Sequence, residues 1–165
     1  MKQIGILSDT HSYLDERIIE HLKDCDEIWH AGDIGNADVT DRLGQLPAKL
    51  RAVYGNIDDG EIRKEFDLNE AFQVEGVKIL MTHIAGRPGR YPPRVREQVK
   101  LFKPKIFVCG HSHICLVQHN KEFNLIHINP GAAGKHGFHK KRTLIKLDID
   151  GIKLDNLRIV ELGNR

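Results

Sequence analysis

Short apolar runs alternate with amphipathic stretches through the first third of the chain. Ile4-Gly5-Ile6-Leu7 stops abruptly at Ser8-Asp9, which predicts a buried strand. Asp15–Lys23 follows, with Ile18, Ile19 and Leu22 at helical spacing. Glu27–Ala31 predicts a second strand, Asp38–Leu46 a second helix and Leu50–Tyr54 a third strand. Strands alternating with helices in this way indicate βαβ units around a parallel sheet.

From Phe72 the pattern changes. Phe72-Gln73-Val74, the turn Glu75-Gly76 and Val77–Met81 predict a hairpin feeding a long apolar strand. Ile84–Pro93 is rich in Gly, Pro and Arg and predicts a mobile loop. A helix over Arg94–Phe102 then precedes a strand over Ile106–Cys109. The remainder reads as strands at Ile114–Gln118, Leu125–Ile128, Thr143–Asp148 and Ile152–Val160, the last two joined by an Asp150-Gly151 turn. No repeat, low-complexity tract or linker interrupts the chain, so residues 1–165 predict one α/β domain: two packed mixed sheets with helices outside.

Composition narrows the function classes. Hydrophobic residues at 40% and charged residues at 29% are ordinary for a soluble globular domain. A formal net charge of +2 is too small to argue for nucleic acid or an anionic membrane surface. Basic residues do gather at Lys140-Lys141-Arg142 and at Arg87, Arg90, Arg94 and Arg96. Their first reading is a solvated face; a second is guidance of phosphorylated substrates. No aromatic ladder accompanies them, so nucleic acid is not an expected partner. Cys25, Cys109 and Cys115 form no Cys-x-x-Cys pair, a sparse and odd set that suits a reducing compartment. The apolar run after Met1-Lys2-Gln3 breaks too early for a signal-peptide core, and no stretch approaches the roughly 20 residues of a membrane span. A cytoplasmic location without a membrane partner is therefore expected.

The chemistry lies in the polar residues that directly follow the predicted strands. Asp9 and His11 follow the first, as Asp-x-His. Gly32-Asp33 follows the second and Gly55-Asn56-Ile57-Asp58 the third. Thr82-His83 ends the long middle strand, and Gly110-His111-Ser112-His113 follows the next. Ligands in an open α/β sheet bind beyond the carboxyl ends of its strands, so five segments deliver Asp, Asn and His to one rim. Carboxylate and imidazole together suit Mn²⁺, Fe²⁺, Co²⁺, Ni²⁺ or Zn²⁺, and the lack of cysteine disfavours a structural thiolate zinc site. Seven ligands are too many for one tetrahedral ion, whereas a shared carboxylate lets two ions sit side by side.

Asp-x-His, Gly-Asp, Gly-Asn, His and Gly-His-x-His in this order resemble the calcineurin-like metallophosphoesterases. The short chain and the Asn129-Pro130-Gly131 turn are similar to their small bacterial and archaeal phosphodiesterase branch. The resemblance implies the four-layer α/β/β/α fold and two divalent ions, with Mn²⁺ the expected metal. It implies that Asp9, His11 and His113 hold one ion, that Asn56, His83 and His111 hold the other, and that Asp33 bridges them. It further implies in-line attack on a phosphoester, more readily a diester, by a metal-bridging hydroxide, with Asp33, Asn56 and His83 central to catalysis. Two divalent ions, two aspartates and one hydroxide leave about one net positive charge, which favours an anionic phosphate. Relatives often form dimers or tetramers, so a homo-oligomer is an implied state that no stretch of this chain marks. A rival reading follows from the same resemblance, because the metallophosphoesterase-like subunit of retromer is a protein-binding scaffold.

The chain departs from the family at two places. Many members carry a histidine directly after Gly-Asn that protonates the leaving group; here Ile57 stands there and cannot move a proton. His136 and His139, after the Pro-Gly turn, are the alternative proton donors and substrate contacts, together with Asn56. His83 is followed by Ile84-Ala85-Gly86 where many relatives have Gly-His, so substrate identity does not carry over. Asp9 and Asp33 would serve well as helix N-caps. His30 and His127 fit satisfied core histidines, Trp29, Cys109 and Cys115 fit core, and His21 and His119 fit the surface. Gly131-Ala132-Ala133-Gly134-Lys135 fails as a phosphate loop, because His136 replaces the required Ser or Thr, and a tight turn near the rim is its expected use. No Gly-x-Ser-x-Gly elbow supports a serine hydrolase.

Overall fold

The computed structural model describes residues 1–165 and contains two five-stranded sheets packed face to face. In chain order the elements are β1 (Lys2–Leu7), α1 (Glu16–Leu22), β2 (Glu27–His30), α2 (Ala37–Gly44), β3 (Lys49–Ala52), α3 (Gly60–Glu65) and β4 (Asn69–Val74). There follow β5 (Val77–Thr82), α4 (Pro93–Phe102), β6 (Ile106–Val108), β7 (Cys115–Asn120), β8 (Leu125–Pro130), β9 (Lys141–Asp150) and β10 (Lys153–Asn164). The first sheet has the order β10-β9-β1-β2-β3 and the second β4-β5-β6-β8-β7. Pairs β1–β2, β2–β3, β5–β6 and β6–β8 are parallel; β3 forms a parallel edge of the first sheet, and antiparallel strands close the other three edges. This is the expected mixed two-sheet architecture with helices outside.

Strand alternation explains the layers. Ile4 and Ile6 of β1, Ile79 and Met81 of β5, and Ile106 and Val108 of β6 point between the sheets, where they meet Trp29, Phe72, Ile128 and Ile145. Leu7 and Ile28 point the other way, into the layer made by Ile18, Leu22, Val39, Leu43 and Ile62 of the first three helices. Leu80 and Phe107 likewise face Val95 and Val99 of α4. Strands buried on both faces read as continuous apolar runs, which is why they were visible in the sequence. No helix is long and apolar enough to cross a membrane.

Three details differ from the expectations. The helix α3 was not foreseen: it buries one side chain, Ile62, and is set by an Asp59 carboxylate that accepts from the Glu61 backbone N–H at 3.1 Å. The β9–β10 hairpin is longer at both ends, running from Lys141 to Asn164, with irregular register between Asp155 and Arg158 and between Glu161 and Gly163. Its outer strand is mostly exposed, so its apolar signal fades where pairing continues. The Gly-, Pro- and Arg-rich stretch after His83 carries no regular element, yet it is held at buried Ala85 and Tyr91. Tyr91 Oη lies 2.7 Å from His127 Nδ1, which satisfies two polar groups beneath that stretch.

His30 and His127 are core histidines, and burial pushes both down to about 4. An unfolded histidine titrates near 6.5, so the folded chain refuses a proton that the unfolded chain accepts. Stability is therefore whole above about pH 6.5 and falls between there and about 4, by an amount on the order of 3 kcal/mol per histidine. Urea midpoints of chelator-treated protein at pH 7.5 and pH 4.5 should show the loss, and His127→Gln should flatten the slope. A midpoint independent of pH over this window would contradict the buried neutral state.

Candidate metal centre

Every one of the seven expected ligands lies just past the carboxyl end of a strand, and the five segments converge. Asp9 and His11 follow β1, Asp33 follows β2, Asn56 follows β3, His83 follows β5, and His111 and His113 follow β6. Two sets of donor atoms lie within 4.8 Å of one another: those of Asp9, His11 and His113, and those of Asp33, His83 and His111. Asp33 Oδ2 stands between the sets, 3.4 Å from His11 Nε2 and 3.3 Å from His83 Nε2. Asn56 Oδ1 completes the second, 3.1 Å from His83 Nε2 and 3.0 Å from His111 Nδ1. Asp9, Asp33 and His83 are buried at the base, whereas Asn56 and His111 are exposed at the mouth of a cleft of about 530 Å³.

Each aspartate divides its oxygens between the fold and the site. Asp9 Oδ2 accepts from Ser8 Oγ at 2.6 Å and from the His111 backbone N–H at 3.1 Å, while its Oδ1 is buried with no hydrogen-bond partner and lies 3.1 Å from His113 Nε2. Asp33 Oδ1 accepts from the Ile57 backbone N–H at 3.1 Å, leaving Oδ2 to the site. His83 Nδ1 lies 2.7 Å from the Ala31 carbonyl and donates to it, so Nε2 carries the lone pair that faces the two carboxylates. Buried acceptors crowded in this way call for a cation or a proton between them. Burial would raise the Asp9 and Asp33 carboxyls, yet His113 and His83 beside Asp9, and His11 and His83 beside Asp33, hold both below the ordinary carboxylate range. Burial would lower His83, and the neighbouring Asp33 and Asp9 reverse that and raise it. An orphaned carboxylate oxygen, a buried His11 Nε2 without a partner and an all-oxygen-and-nitrogen donor set fit borderline divalent ions.

The capping alternative for the aspartates is not what the chain does. Asp15 caps α1 through its side chain and Asn36 is the N-cap residue of α2, so Asp9 and Asp33 are free of that duty. Instead their backbones are left-handed. Asp9 (φ 54°), His11 (45°), Asp33 (53°), His111 (72°) and His113 (61°) all occupy a region that non-glycine residues seldom adopt. Asp and His tolerate it better than most, and five such residues around one point are a local strain of the kind that accompanies function.

Residues outside the expected set hold the loops in place. Asp58 is buried and its carboxylate accepts from the backbone N–H groups of Gly55 (2.7 Å), Gly35 (2.8 Å) and Ile34 (3.1 Å), tying the Asp33 loop to the Asn56 loop. Gly55 permits their close approach, since a Cβ there would lie 2.3 Å from the Asp33 backbone nitrogen. Asn129 Nδ2 donates to the Gly110 carbonyl at 3.0 Å and to Ser112 Oγ at 3.1 Å, fastening the Gly-His-x-His segment. Thr10 Oγ1 donates to the Ile34 carbonyl and lies 3.0 Å from His30 Nε2, so His30 braces the floor. Of these, Gly55 and Asp58 stand in the Gly-Asn segment, Thr10 within Asp-x-His and Asn129 in the Asn-Pro-Gly turn, although none of those motifs assigns them this bracing role.

The two histidines proposed for proton transfer differ. His136 is exposed in the cleft, its ring stacked 4.6 Å from that of His11. His139 lines the same cleft, but its Nε2 lies 2.8 Å from the Gly134 carbonyl and donates to it. Burial lowers His139, and its Nδ1 is a buried acceptor without a partner. Its proton is committed to the backbone. The Gly131–Gly134 turn packs beside the rim as expected, with Ala133 N donating to the Ser8 carbonyl at 2.9 Å. Ile57, Ile114 and Phe138 are exposed apolar side chains at the cleft mouth.

Residues 1–151 match the family model described as the calcineurin-like phosphoesterase superfamily domain. A probable metallophosphoesterase of Methanothermobacter thermautotrophicus is 27% identical over 157 residues, covering 92% of this chain and 88% of the relative. A phosphodiesterase of Methanocaldococcus jannaschii is 27% identical over 144 residues, covering 78% and 82%. Among solved structures, a novel archaeal phosphodiesterase superimposes with a TM-score of 0.77 at 24% identity, covering 97% of this chain and 99% of that one. Vps29 of Entamoeba histolytica complexed with zinc superimposes with a TM-score of 0.75 at 14% identity, covering 97% and 98%.

Proposed function

The chain belongs to the calcineurin-like phosphoesterase superfamily, and we propose that it is a two-metal phosphodiesterase of the cytoplasm whose ligands are Asp9, His11, Asp33, Asn56, His83, His111 and His113. One observation carries the reading: Asp33 Oδ2 is within 3.4 Å of imidazole nitrogens from both donor sets. A carboxylate so shared is what a pair of adjacent ions requires. Bound there, two divalent cations, Mn²⁺ foremost, would supply positive charge opposite a phosphate and acidify a water. The protein's own residues do the rest. His83 is oriented by the Ala31 carbonyl, and Asp9 and Asp33 by Ser8, His111 N and Ile57 N. Asn56, exposed at the mouth, directs its Oδ1 inward and leaves its amide N–H groups for a phosphate oxygen. No lysine or arginine lines the cleft, which suits the single charge of a diester better than the double charge of a monoester.

His136 is the proton donor to the leaving oxygen, because it faces the cleft and its proton is not held by the backbone as that of His139 is. His136→Ala should lower turnover of diesters with alkyl leaving groups by about a hundredfold, within the usual range for general-acid loss, and of p-nitrophenyl diesters by less than about threefold. Equal losses on both would remove His136 from that role. The primary test is release of nitrophenol from bis-p-nitrophenyl phosphate by chelator-stripped protein with and without Mn²⁺, repeated with Zn²⁺ and Ni²⁺. Metal-dependent release supports the reading. Tight metal binding with no turnover of any phosphoester would favour a protein-binding scaffold, the use that the exposed Ile57, Ile114 and Phe138 would then serve.

A further inference from the structure

We propose that Arg87 and Arg90 form a binding site for a second phosphate group of the substrate, separate from the metal centre and beside it. The proposal rests on the phosphodiesterase reading for the word substrate, but the site itself does not need the metals. Four arginines lie between Ile84 and Gln98, and their environments divide them sharply. Arg94 donates to Asn69 Oδ1 at 2.6 Å and to the Ile84 carbonyl at 3.3 Å, and Arg96 is paired with Glu122 at 2.6 Å. Arg87 and Arg90 are exposed and line a cavity of about 560 Å³ together with Gly86, Ser112, Ile114, Leu116, His127 and Asn129. No carboxylate lines that cavity.

The backbone that carries the pair is ordered. Arg87-Pro88-Gly89-Arg90 is a four-residue turn closed by Arg90 N donating to the Arg87 carbonyl at 2.9 Å. Pro88 presets the second position, and Gly89 takes the third at φ 83°, the combination a type II turn demands. Turn residues one and four lie within 7 Å at Cα, so both guanidinium groups rise from one short span. The turn is clamped at its two ends by buried Ala85 and Tyr91, the latter within 2.7 Å of His127. Two exposed, unpaired guanidinium groups carried on one turn beside an acid-free cavity match the oxygens of a phosphate, which arginine binds through parallel N–H groups.

Position relative to the metal centre follows from shared walls. Ser112 and Ile114 line both this cavity and the metal cleft. Ser112 lies between the candidate ligands His111 and His113, so the two cavities sit on either side of one metal-ligand segment. The metal cleft lacks a lysine or arginine and its neighbour holds two. A substrate with two phosphate groups on one scaffold, one a diester at the metals and one a terminal phosphate at the arginines, meets both.

The test uses two diesters with one leaving group: thymidine 5′-(p-nitrophenyl phosphate), and the same compound carrying a 3′-phosphate. The wild type with Mn²⁺ should prefer the phosphorylated compound by about tenfold in kcat/KM. Arg87→Ala/Arg90→Ala should bring that ratio to about one, and Arg87→Lys/Arg90→Lys should retain part of it. Lys140→Ala/Lys141→Ala removes the same net charge elsewhere and should leave the ratio in place. A second readout needs no activity: calorimetric titration of metal-stripped protein with thymidine 3′,5′-bisphosphate should give binding that the arginine variant loses and the lysine control keeps. If the wild type turns over diesters but neither ratio nor titration responds to the arginine variant, the proposal falls and the phosphodiesterase reading stands. An equal response to the lysine control overturns it as well, in favour of net charge. If no diester is turned over yet the titration depends on the arginines, the anion site stands and the phosphodiesterase reading falls.

Discussion

Asp33→Asn is expected to reduce phosphodiester turnover by roughly a thousandfold, equivalent to ~4 kcal/mol of barrier, and to lower the occupancy of both metals together. The reason is position. Asp33 Oδ2 approaches both donor sets closely, at 3.4 Å from His11 Nε2 and 3.3 Å from His83 Nε2, whereas Asp9 Oδ1 lies 3.1 Å from His113 Nε2 but 3.9 Å from His83 Nε2. The amide keeps the shape and the Ile57 contact but withdraws the charge. In chelator-stripped protein the same change should leave the urea midpoint close to wild type, because a desolvated carboxylate is removed along with its imidazole partners' attraction. Elemental analysis of the purified variant beside an activity assay separates the outcomes. One metal retained at full occupancy with turnover within tenfold of wild type would show that the carboxylate is not shared.

Asp58→Ala is expected to be the most destabilising single change near the site, by roughly 3 kcal/mol in urea unfolding, since it strands the buried N–H groups of Ile34 and Gly55 and the partly buried one of Gly35 at about 1 kcal/mol each. Domains of this kind hold only about 5–15 kcal/mol in total. Turnover should fall too, because the lost contacts are those that set Gly35 and Ile34 beside Gly55, and so Asp33 beside Asn56. Asp58→Asn, which keeps one acceptor, should lie between. A midpoint shift of the alanine variant below about 1 kcal/mol would mean that water replaces the carboxylate, and the staple would then be incidental.

Much of this was legible in the chain because the fold buries its central strands on both faces. Ile4–Leu7 and Ile106–Val108 are apolar throughout for that reason, Val77–Met81 is broken only by exposed Lys78, and each ends where a polar residue must turn toward the rim. Five of the seven candidate ligands follow those endings, and Asp33 and Asn56 follow the ends of β2 and β3. What escaped notice depends on contacts between distant segments. The capacity of Asp58 to serve two loops depends on the 24-residue separation between Ile34 and itself closing in space, which no local pattern encodes. His139 and His136 are equivalent in sequence, and only the Gly134 carbonyl, 2.8 Å from His139 Nε2, separates them. The short helix α3 buries one side chain and leaves no periodic trace. Left-handed backbone at Asp9, His11, Asp33, His111 and His113 is invisible in a sequence, because only glycine advertises it and none of the five is glycine.

Those five conformations also carry a history. Left-handed backbone in a non-glycine residue persists only where surrounding structure over-determines it, and stability can be gained at such points whenever activity is no longer demanded. A descendant that kept the fold as a scaffold would be free to drift toward glycine there or to let the loops relax. An active lineage would not. Retention of these five backbone angles is therefore the expected mark of a chain still under demand for activity.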